Sequence, residues 1–347
     1  MTNRLCSVVE GVGHYVPQKV LTNHDLSQMM DTSDQWIKER SGISERHIAD
    51  ISEGTSDLGT RAAIQALEQA GLQAKDLDLI LAATLSPDHY FPGIGVMIQN
   101  KLGADCVGSM DIRGQCSGFS WCLSTADAFI RSGLKKNILI VGAEIHSRII
   151  EFSNRGRNVS VLFGDGAGAV VLSAGKTQYS TEQLLTDPTT SGLIDHELGS
   201  DGSGAQLLAV TRPGCSGGHE EFMTPAETEE KVYLPVMDGK QVFKNAVSRM
   251  TEVVHKLLER NNLQADQIDL LIPHQANIRI NEMVRQKMGL PKEKVFNNIH
   301  KYGNTTSATL PLCMYEASRE GRLKKGDLLV TVAFGSGFTW GANLLRW

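Results

Sequence analysis

No two cysteines in this chain stand three positions apart in a C-x-x-C pattern, which removes both the zinc ribbon and the thioredoxin-like redox motif. There is no apolar run long enough to cross a membrane. Met1-Thr2-Asn3-Arg4-Leu5 carries no apolar leader region, so a reducing cytoplasm is the expected compartment. A surplus of positive charge is missing too: the net charge is -5, which argues against a general nucleic-acid binder. What remains is ordinary globular material. The 347 residues are 41% hydrophobic and 21% charged, enough for a large core in two domains or in two halves of one.

Among the six cysteines (Cys6, Cys106, Cys116, Cys122, Cys215 and Cys313), Cys116 stands out by its context. It lies in Asp111-Ile112-Arg113-Gly114-Gln115-Cys116-Ser117-Gly118, where a strand-like stretch turns into a helix. Phe119, Cys122, Leu123, Ala126, Phe129 and Ile130 then recur at intervals of three and four, one face of a helix. A cysteine at that helix N-terminus is expected to have its thiolate favoured by unpaired N–H groups and the helix dipole. Taken alone, such a residue reads first as a buried structural cysteine. Two further junctions change the balance. Ile268 to Ile272 reads as a buried strand whose pairing Pro273 should end, leaving His274 at its carboxyl end, the usual place for chemistry in an α/β protein. His300 to Ala308 is a polar loop containing Gly303-Asn304 and leading into another helix.

The chain repeats itself. Residues 67–80, LEQAGLQAKDLDLI, match residues 258–271, LERNNLQADQIDLL, at a constant offset, and each reads helix, turn, buried strand. A second echo keeps the order: Arg131 to Lys136 leads into Ile138-Leu139-Ile140-Val141, and Gly321 to Lys325 leads into Leu328-Leu329-Val330-Thr331. Alternating helices and strands predict βαβ units and largely parallel sheets. Two such halves, residues 1–184 and 185–347, would stack into a layered α/β/α/β/α body. Cys116 and Asn304 would then occupy corresponding places in the two copies, with the site between them. Residues 174 to 236 read as an irregular connection, and so long a loop suggests a lid or the wall of a site.

These segments closely resemble the thiolase-like condensing enzymes, in particular β-ketoacyl-acyl-carrier-protein synthase III. The resemblance runs almost end to end. It rests on Asp31 to Ile37 with Arg40-Ser41-Gly42-Ile43, the Cys116 turn, Phe163-Gly164-Asp165-Gly166-Ala167-Gly168-Ala169, Pro273 to Asn277, Tyr302-Gly303-Asn304-Thr305 and Phe334 to Gly341. Phe334 to Gly341 lacks the second cysteine of degradative thiolases, and Asn304 stands where elongating enzymes carry a second histidine. A papain-like protease also uses Cys, His and Asn, but the C-G-S-C-W signature is absent and the duplication would go unexplained.

The resemblance implies a five-layer αβαβα fold and an acyltransferase that initiates fatty acid or related polyketide synthesis. Cys116 would take an acyl group from acyl-CoA, and malonyl-acyl-carrier protein would then lose carbon dioxide and attack the acyl-cysteine. His274 and Asn304 would donate hydrogen bonds to the developing oxyanion, and the backbone N–H groups of Cys116 and Ser336 would form a second oxyanion hole. By the same resemblance Thr32, Trp36, Arg40, Arg157, Gly239 and Asn277 would contact CoA, with Trp36 and Arg157 on either side of the adenine. Phe91 would cap the acyl pocket of the partner in a homodimer. Lys244, Arg279, Arg285 and Lys287 would receive the acidic carrier protein, although as residue types they read equally as a solvated helix face. Coenzyme A enters as a substrate thioester; no metal or other cofactor is implied. Other readings are condensation of two acyl-CoA molecules, acyl transfer to another nucleophile, and a non-catalytic acyl-binding subunit. Two departures from the family pattern, Gly114-Gln115 before the nucleophile and a long Gly214 to Glu230 segment, point to a starter longer than acetyl.

Overall fold

The computed structural model describes residues 6–215, 218 and 221–347. Its strands, in chain order, are β1 (Ser7–Tyr15), β2 (Lys19–Thr22), β3 (Glu45–Ile48), β4 (Leu79–Ala83), β5 (Gly108–Asp111), β6 (Asn137–Glu144) and β7 (Gly166–Ala174), then β8 (Gly192–Ser200), β9 (Leu208–Ala209), β10 (Val236–Met237), β11 (Leu270–Pro273), β12 (Leu328–Gly335) and β13 (Thr339–Arg346). The helices are α1 (Asn23–Met29), α2 (Asp34–Ser41), α3 (Thr55–Ala70), α4 (Ile94–Lys101), α5 (Gly118–Arg131) and α6 (Arg157–Ser160), then α7 (Thr181–Thr186), α8 (Pro225–Glu229), α9 (Gly239–Arg260), α10 (Ile278–Lys287), α11 (Ile299–Tyr302) and α12 (Thr309–Arg319).

One sheet has the order β1-β7-β6-β4-β5 and the other β8-β13-β12-β11. A single parallel bridge from Leu271 to Val295 lies beyond β11, where β5 lies beside β4 in the first sheet. The duplication is therefore real in three dimensions, with the fifth strand of the second copy reduced to one bridge. The sheets are mixed, not largely parallel as predicted. β5, β4 and β6 are parallel, as are β11 and β12, but β7 and β13 run antiparallel to their neighbours on both sides. The reason is local: β12 and β13 are joined by the short turn Ser336 to Phe338, too short for the crossover that parallel strands need. The predicted irregular stretch also hides β8, an edge strand. Its outward Asp195 and Glu197 pair with Arg260 and mask the apolar signal.

Five layers follow from how the strands divide their side chains. On β6, Ile138 and Ile140 face the middle of the molecule while Leu139, Val141 and Ala143 face outward against α3 and α4. On β12, Leu329 and Ala333 face the middle while Val330, Val332 and Phe334 pack against α9 and α10. The middle layer is α5 and α12. Phe119, Cys122, Leu123, Ala126 and Ile130 of α5 are fully buried there, each large side chain contributing about 1.5–3 kcal/mol. Helix α9 is amphipathic, buries Ala246, Val247, Met250, Val253, Val254, Leu257 and Leu258, and is capped by Asp238 accepting from the Gln241 N–H. No helix among the described residues is long and apolar enough to cross a membrane.

The ends of both middle helices carry the same device. Gln115 (φ 53°) and Thr306 (φ 46°) adopt left-handed backbone angles at the first position of short 3-10 turns that lead into α5 and α12. This register makes Ser307, not Asn304, the counterpart of Cys116. Asn304 lies three residues further upstream.

Candidate active site

Cys116, His274 and Asn304 come from a turn before α5, the end of β11 and the loop before α12, and all three line one cavity of about 140 Å³. They are nearly inaccessible, at 6%, 3% and 5% exposure. Apolar side chains of α9, among them Val242, Phe243 and Ala246, form one wall, and Leu208 and Met237 of the β9–β10 hairpin close another.

Burial dominates the electrostatics. It pushes the Cys116 thiol up to about 12, and the Glu144 carboxylate adds to that. The backbone N–H groups of Ser336 and of Cys116 itself point at the sulfur and act in the opposite direction, but more weakly. The expected thiolate at a helix N-terminus is thus corrected: in the free protein Cys116 is a thiol, because desolvation outweighs the local dipoles. Gly335 makes this arrangement possible. A Cβ there would lie 2.7 Å from the Cys116 nitrogen and 3.0 Å from its Cβ. The two N–H groups facing one sulfur are those that the resemblance assigned to an oxyanion hole.

Burial pulls His274 down to about 3, so its ring is neutral around pH 7 and carries one proton. The β11–β12 ladder ends at Pro273, as predicted. Pro273 pairs with Val332, and the His274 N–H still donates to the Val332 carbonyl at 2.8 Å, which fixes the histidine backbone on the sheet. Its Nδ1 lies 2.7 Å from the Thr309 hydroxyl. Asn304 is oriented unambiguously. Its Oδ1 accepts from the Thr306 N–H at 2.8 Å, so its NH₂ group is left for the cavity.

Glu144, fully buried at the end of β6, accepts from the N–H groups of Leu85 and Ser86 and from the hydroxyls of Thr84, Ser86 and Ser307. It clamps the ends of β4 and β6 to the turn before α12. Sequence reasoning passed over it, over Thr309 and over Gly335. An acidic residue closing the apolar run Ile138 to Ala143 was the available signal for Glu144.

The residues expected at CoA divide. Gly239 and Asn277 line the cavity. Asn277 caps α10 and donates to the Arg40 carbonyl at 2.9 Å, tying the cavity rim to α2. The guanidinium carbons of Arg40 and Arg157 lie 4.5 and 5.2 Å from the Trp36 ring centre, and Arg157 also donates to the Asp31 carbonyl. A base held between Trp36 and Arg157 needs about 7 Å, two contact distances, so Arg157 must move for such a sandwich. Thr32 is half-buried beside them, and its hydroxyl has no partner among the described residues.

At the cavity mouth Arg279 lies over Phe243, 5.8 Å from the ring centre, and Lys244 is exposed on the next position of α9. Lys287 is exposed near the far end of α10. Arg285 is not available to a partner, because it forks onto Glu282 and donates to the Leu290 carbonyl. Phe91 is 80% exposed next to Tyr90, whose ring meets Phe222 of the long segment edge-on at 5.0 Å. In that Gly214 to Glu230 segment, residues 216, 217, 219 and 220 lie outside the described residues. The rest is tied down by Arg212, which bonds to the carbonyls of Gly214 and Glu221 and to Glu227.

The chain matches two family models, described as 3-oxoacyl-[acyl-carrier-protein] synthase III over residues 110–202 and the C-terminal part of the same enzyme over residues 258–347. It is 42% identical over 347 residues to the β-ketoacyl-[acyl-carrier-protein] synthase III of Caldanaerobacter subterraneus subsp. tengcongensis, covering 100% of this chain and 99% of the relative. It is 44% identical over 340 residues to the corresponding protein of Geobacillus kaustophilus, covering 97% of each. Among solved structures, the 3-oxoacyl-[acyl-carrier-protein] synthase III of Aquifex aeolicus VF5 superposes with a TM-score of 0.86 at 40% identity, covering 98% of this chain and 100% of that one. A priming β-ketosynthase from the R1128 polyketide pathway does so with 0.86 at 30% identity, covering 100% and 98%.

Proposed function

The chain belongs to the 3-oxoacyl-[acyl-carrier-protein] synthase III family, and we propose that it condenses an acyl-CoA starter with malonyl-acyl-carrier protein through an acyl group held on Cys116. The observation that carries this assignment is the convergence of Cys116, His274 and Asn304 on one cavity, with two backbone N–H groups already aimed at the sulfur.

In the first half-reaction the Cys116 sulfur attacks the thioester carbonyl, CoA leaves, and the thiol proton ends on the CoA sulfur. The N–H groups of Ser336 and Cys116 hold the sulfur as it becomes anionic, and they are placed to hold the carbonyl oxygen as it does so. In the second, the malonyl C–C bond breaks, carbon dioxide leaves, and the electron pair delocalises onto the thioester oxygen. His274 and Asn304 donate to that oxygen, each worth about 10²–10³ in rate. The carbanion then attacks the acyl-cysteine, and Cys116 departs as thiolate, which takes a proton from water to restore the resting thiol.

Exposed Lys244 and Arg279 at the mouth suit an acidic carrier protein. The edge strand β5 with its exposed Met110, and the exposed Tyr90 and Phe91, suit a second copy of the chain. The hairpin β9–β10 brackets the long segment and places Leu208 and Met237 in the cavity wall, which favours a starter longer than acetyl.

The test has two arms. Intact mass after exposure to acetyl-, butyryl-, octanoyl- and longer acyl-CoAs should show one acyl group, mapped to Cys116, with an acyl chain longer than acetyl preferred. The acylated protein should then yield a β-ketoacyl product with malonyl-carrier protein. Acylation elsewhere, or a product formed with a second acyl-CoA and not with malonyl-carrier protein, overturns the assignment.

A further inference from the structure

We propose that Arg46 is a positioning residue that places Asn304 for the release of carbon dioxide. The inference rests on the reading above, in which Asn304 donates to the oxyanion of the malonyl thioester. Arg46 lies on β3 and does not line the cavity. Its side chain is fully buried; burial pulls it down to about 10, so it is still a cation around pH 7. The guanidinium donates to the Leu21 carbonyl at 3.1 Å, to Asn23 Oδ1 at 2.9 Å and to the Val161 carbonyl at 2.8 Å. None of these oxygens is a carboxylate, and the Nε–H has no partner among the described residues. A buried cation without a counter-charge is costly, so stability alone does not account for this one.

The Val161 carbonyl leads to the site. Val161 closes α6, and the next two residues, Leu162 and Phe163, form part of the cavity wall. Asn304 hangs from this stretch by both of its backbone groups. Its N–H donates to the Leu162 carbonyl at 2.8 Å, and its carbonyl accepts from the Gly164 N–H at 3.2 Å. Phe163 and Asn304 thereby form an isolated parallel bridge, outside either large sheet. With so few backbone bonds of its own, that bridge depends on what holds Val161 to Gly164 in place. The guanidinium grips it one residue before the carbonyl that carries Asn304.

The stem of the same side chain meets both strands of the bridge. A Cβ on Gly164 would lie 2.9 Å from the Arg46 Cβ. One on Gly303, at φ 64°, would lie 3.4 Å from the Arg46 Cβ and 2.9 Å from the Leu162 carbonyl oxygen. Glycine at both positions lets the two segments close onto Arg46. The other end of the guanidinium is fixed through Asn23, whose NH₂ group donates to Asp34 at the start of α2 and to the Ile43 carbonyl, at 2.9 and 2.7 Å. Arg46 is thus a strut between the α1–α2 region and the backbone of Asn304. The Thr306 N–H aims the Asn304 carboxamide, and Arg46 sets where that carboxamide starts from.

The experiment uses the full-length enzyme and measures the two half-reactions separately. Arg46→Lys keeps the charge, but one ammonium cannot reach three oxygens on three segments. Arg46→Met keeps the stem and removes the buried charge, a change that folded proteins commonly tolerate. In both, carbon dioxide release from malonyl-carrier protein should fall about tenfold in kcat with KM unchanged, as expected for a displaced donor. Acylation of Cys116 by acyl-CoA, which does not use Asn304, should stay within about twofold and reports in the same sample that the variant is folded. Adding Arg46→Lys to Asn304→Ala should cost nothing further, because the residue acts through Asn304. Wild-type release in both variants overturns the proposal. So does an equal loss of release and acylation, or a further tenfold loss in the double variant, since either describes a merely structural residue. If Asn304→Ala itself retains carbon dioxide release, the reading beneath fails. If Asn304→Ala loses release while the Arg46 variants keep it, Arg46 alone is excluded.

Discussion

Alkylation of Cys116 by iodoacetamide should accelerate about tenfold per pH unit from pH 7 to 10 without levelling off. The thiol is pushed up to about 12, against 9.0 for an unperturbed cysteine, by burial first and the Glu144 carboxylate second. At pH 8 the thiolate fraction is then about 10⁻⁴, some 10³-fold below that of an unperturbed thiol. A more basic thiolate is more nucleophilic, and a Brønsted coefficient of about 0.45 over three units returns about 20-fold. The net expectation is alkylation about 50-fold slower than for a free thiol at pH 8. Peptide mapping by mass over time separates Cys116 from the exposed Cys106 and Cys215 of the same chain. Restricted access would slow the reaction at every pH, whereas the slope reports ionisation alone. A plateau with its midpoint at or below pH 9 would refute the reasoning, because the helix terminus and the Ser336 N–H would then outweigh desolvation.

Gly335→Ala should lose at least about 100-fold in condensation, since its Cβ would push into the Cys116 backbone at 2.7 Å and displace the adjacent Ser336 N–H, and the same clash should cost about 1–3 kcal/mol of stability; unimpaired turnover in the folded variant would remove that N–H from the mechanism. His274 accepts a proton near pH 3 when folded and near 6.5 when unfolded, so its contribution to stability is whole above about pH 6.5 and declines as pH falls toward 3. Urea titrations between pH 4 and 7 should show His274→Ala losing less stability on acidification than the wild type, by up to about 1.4 kcal/mol per pH unit, and identical slopes would contradict the burial argument.

The sequence determined the parts whose cause is local. The period of three and four from Phe119 to Ile130, the apolar runs Ile138 to Ala143 and Leu270 to Ile272, and the offset between residues 67–80 and 258–271 all appear as helix, strands and matching halves. Cys116, His274 and Asn304 were legible because each lies where such an element ends. Strand direction was not. A hairpin at Ser336 to Phe338 and a charged edge strand β8 decide it, and neither has a period to read. Tertiary structure alone decided the ionisation of the site. Whether a cysteine before a helix is thiolate or thiol depends on the balance of desolvation against dipoles, and that balance is set by Gly335, Ser336 and Glu144, each remote from Cys116 in the chain. The same holds for His274. Its partner Thr309 lies 35 residues away, and only packing brings that hydroxyl to the imidazole.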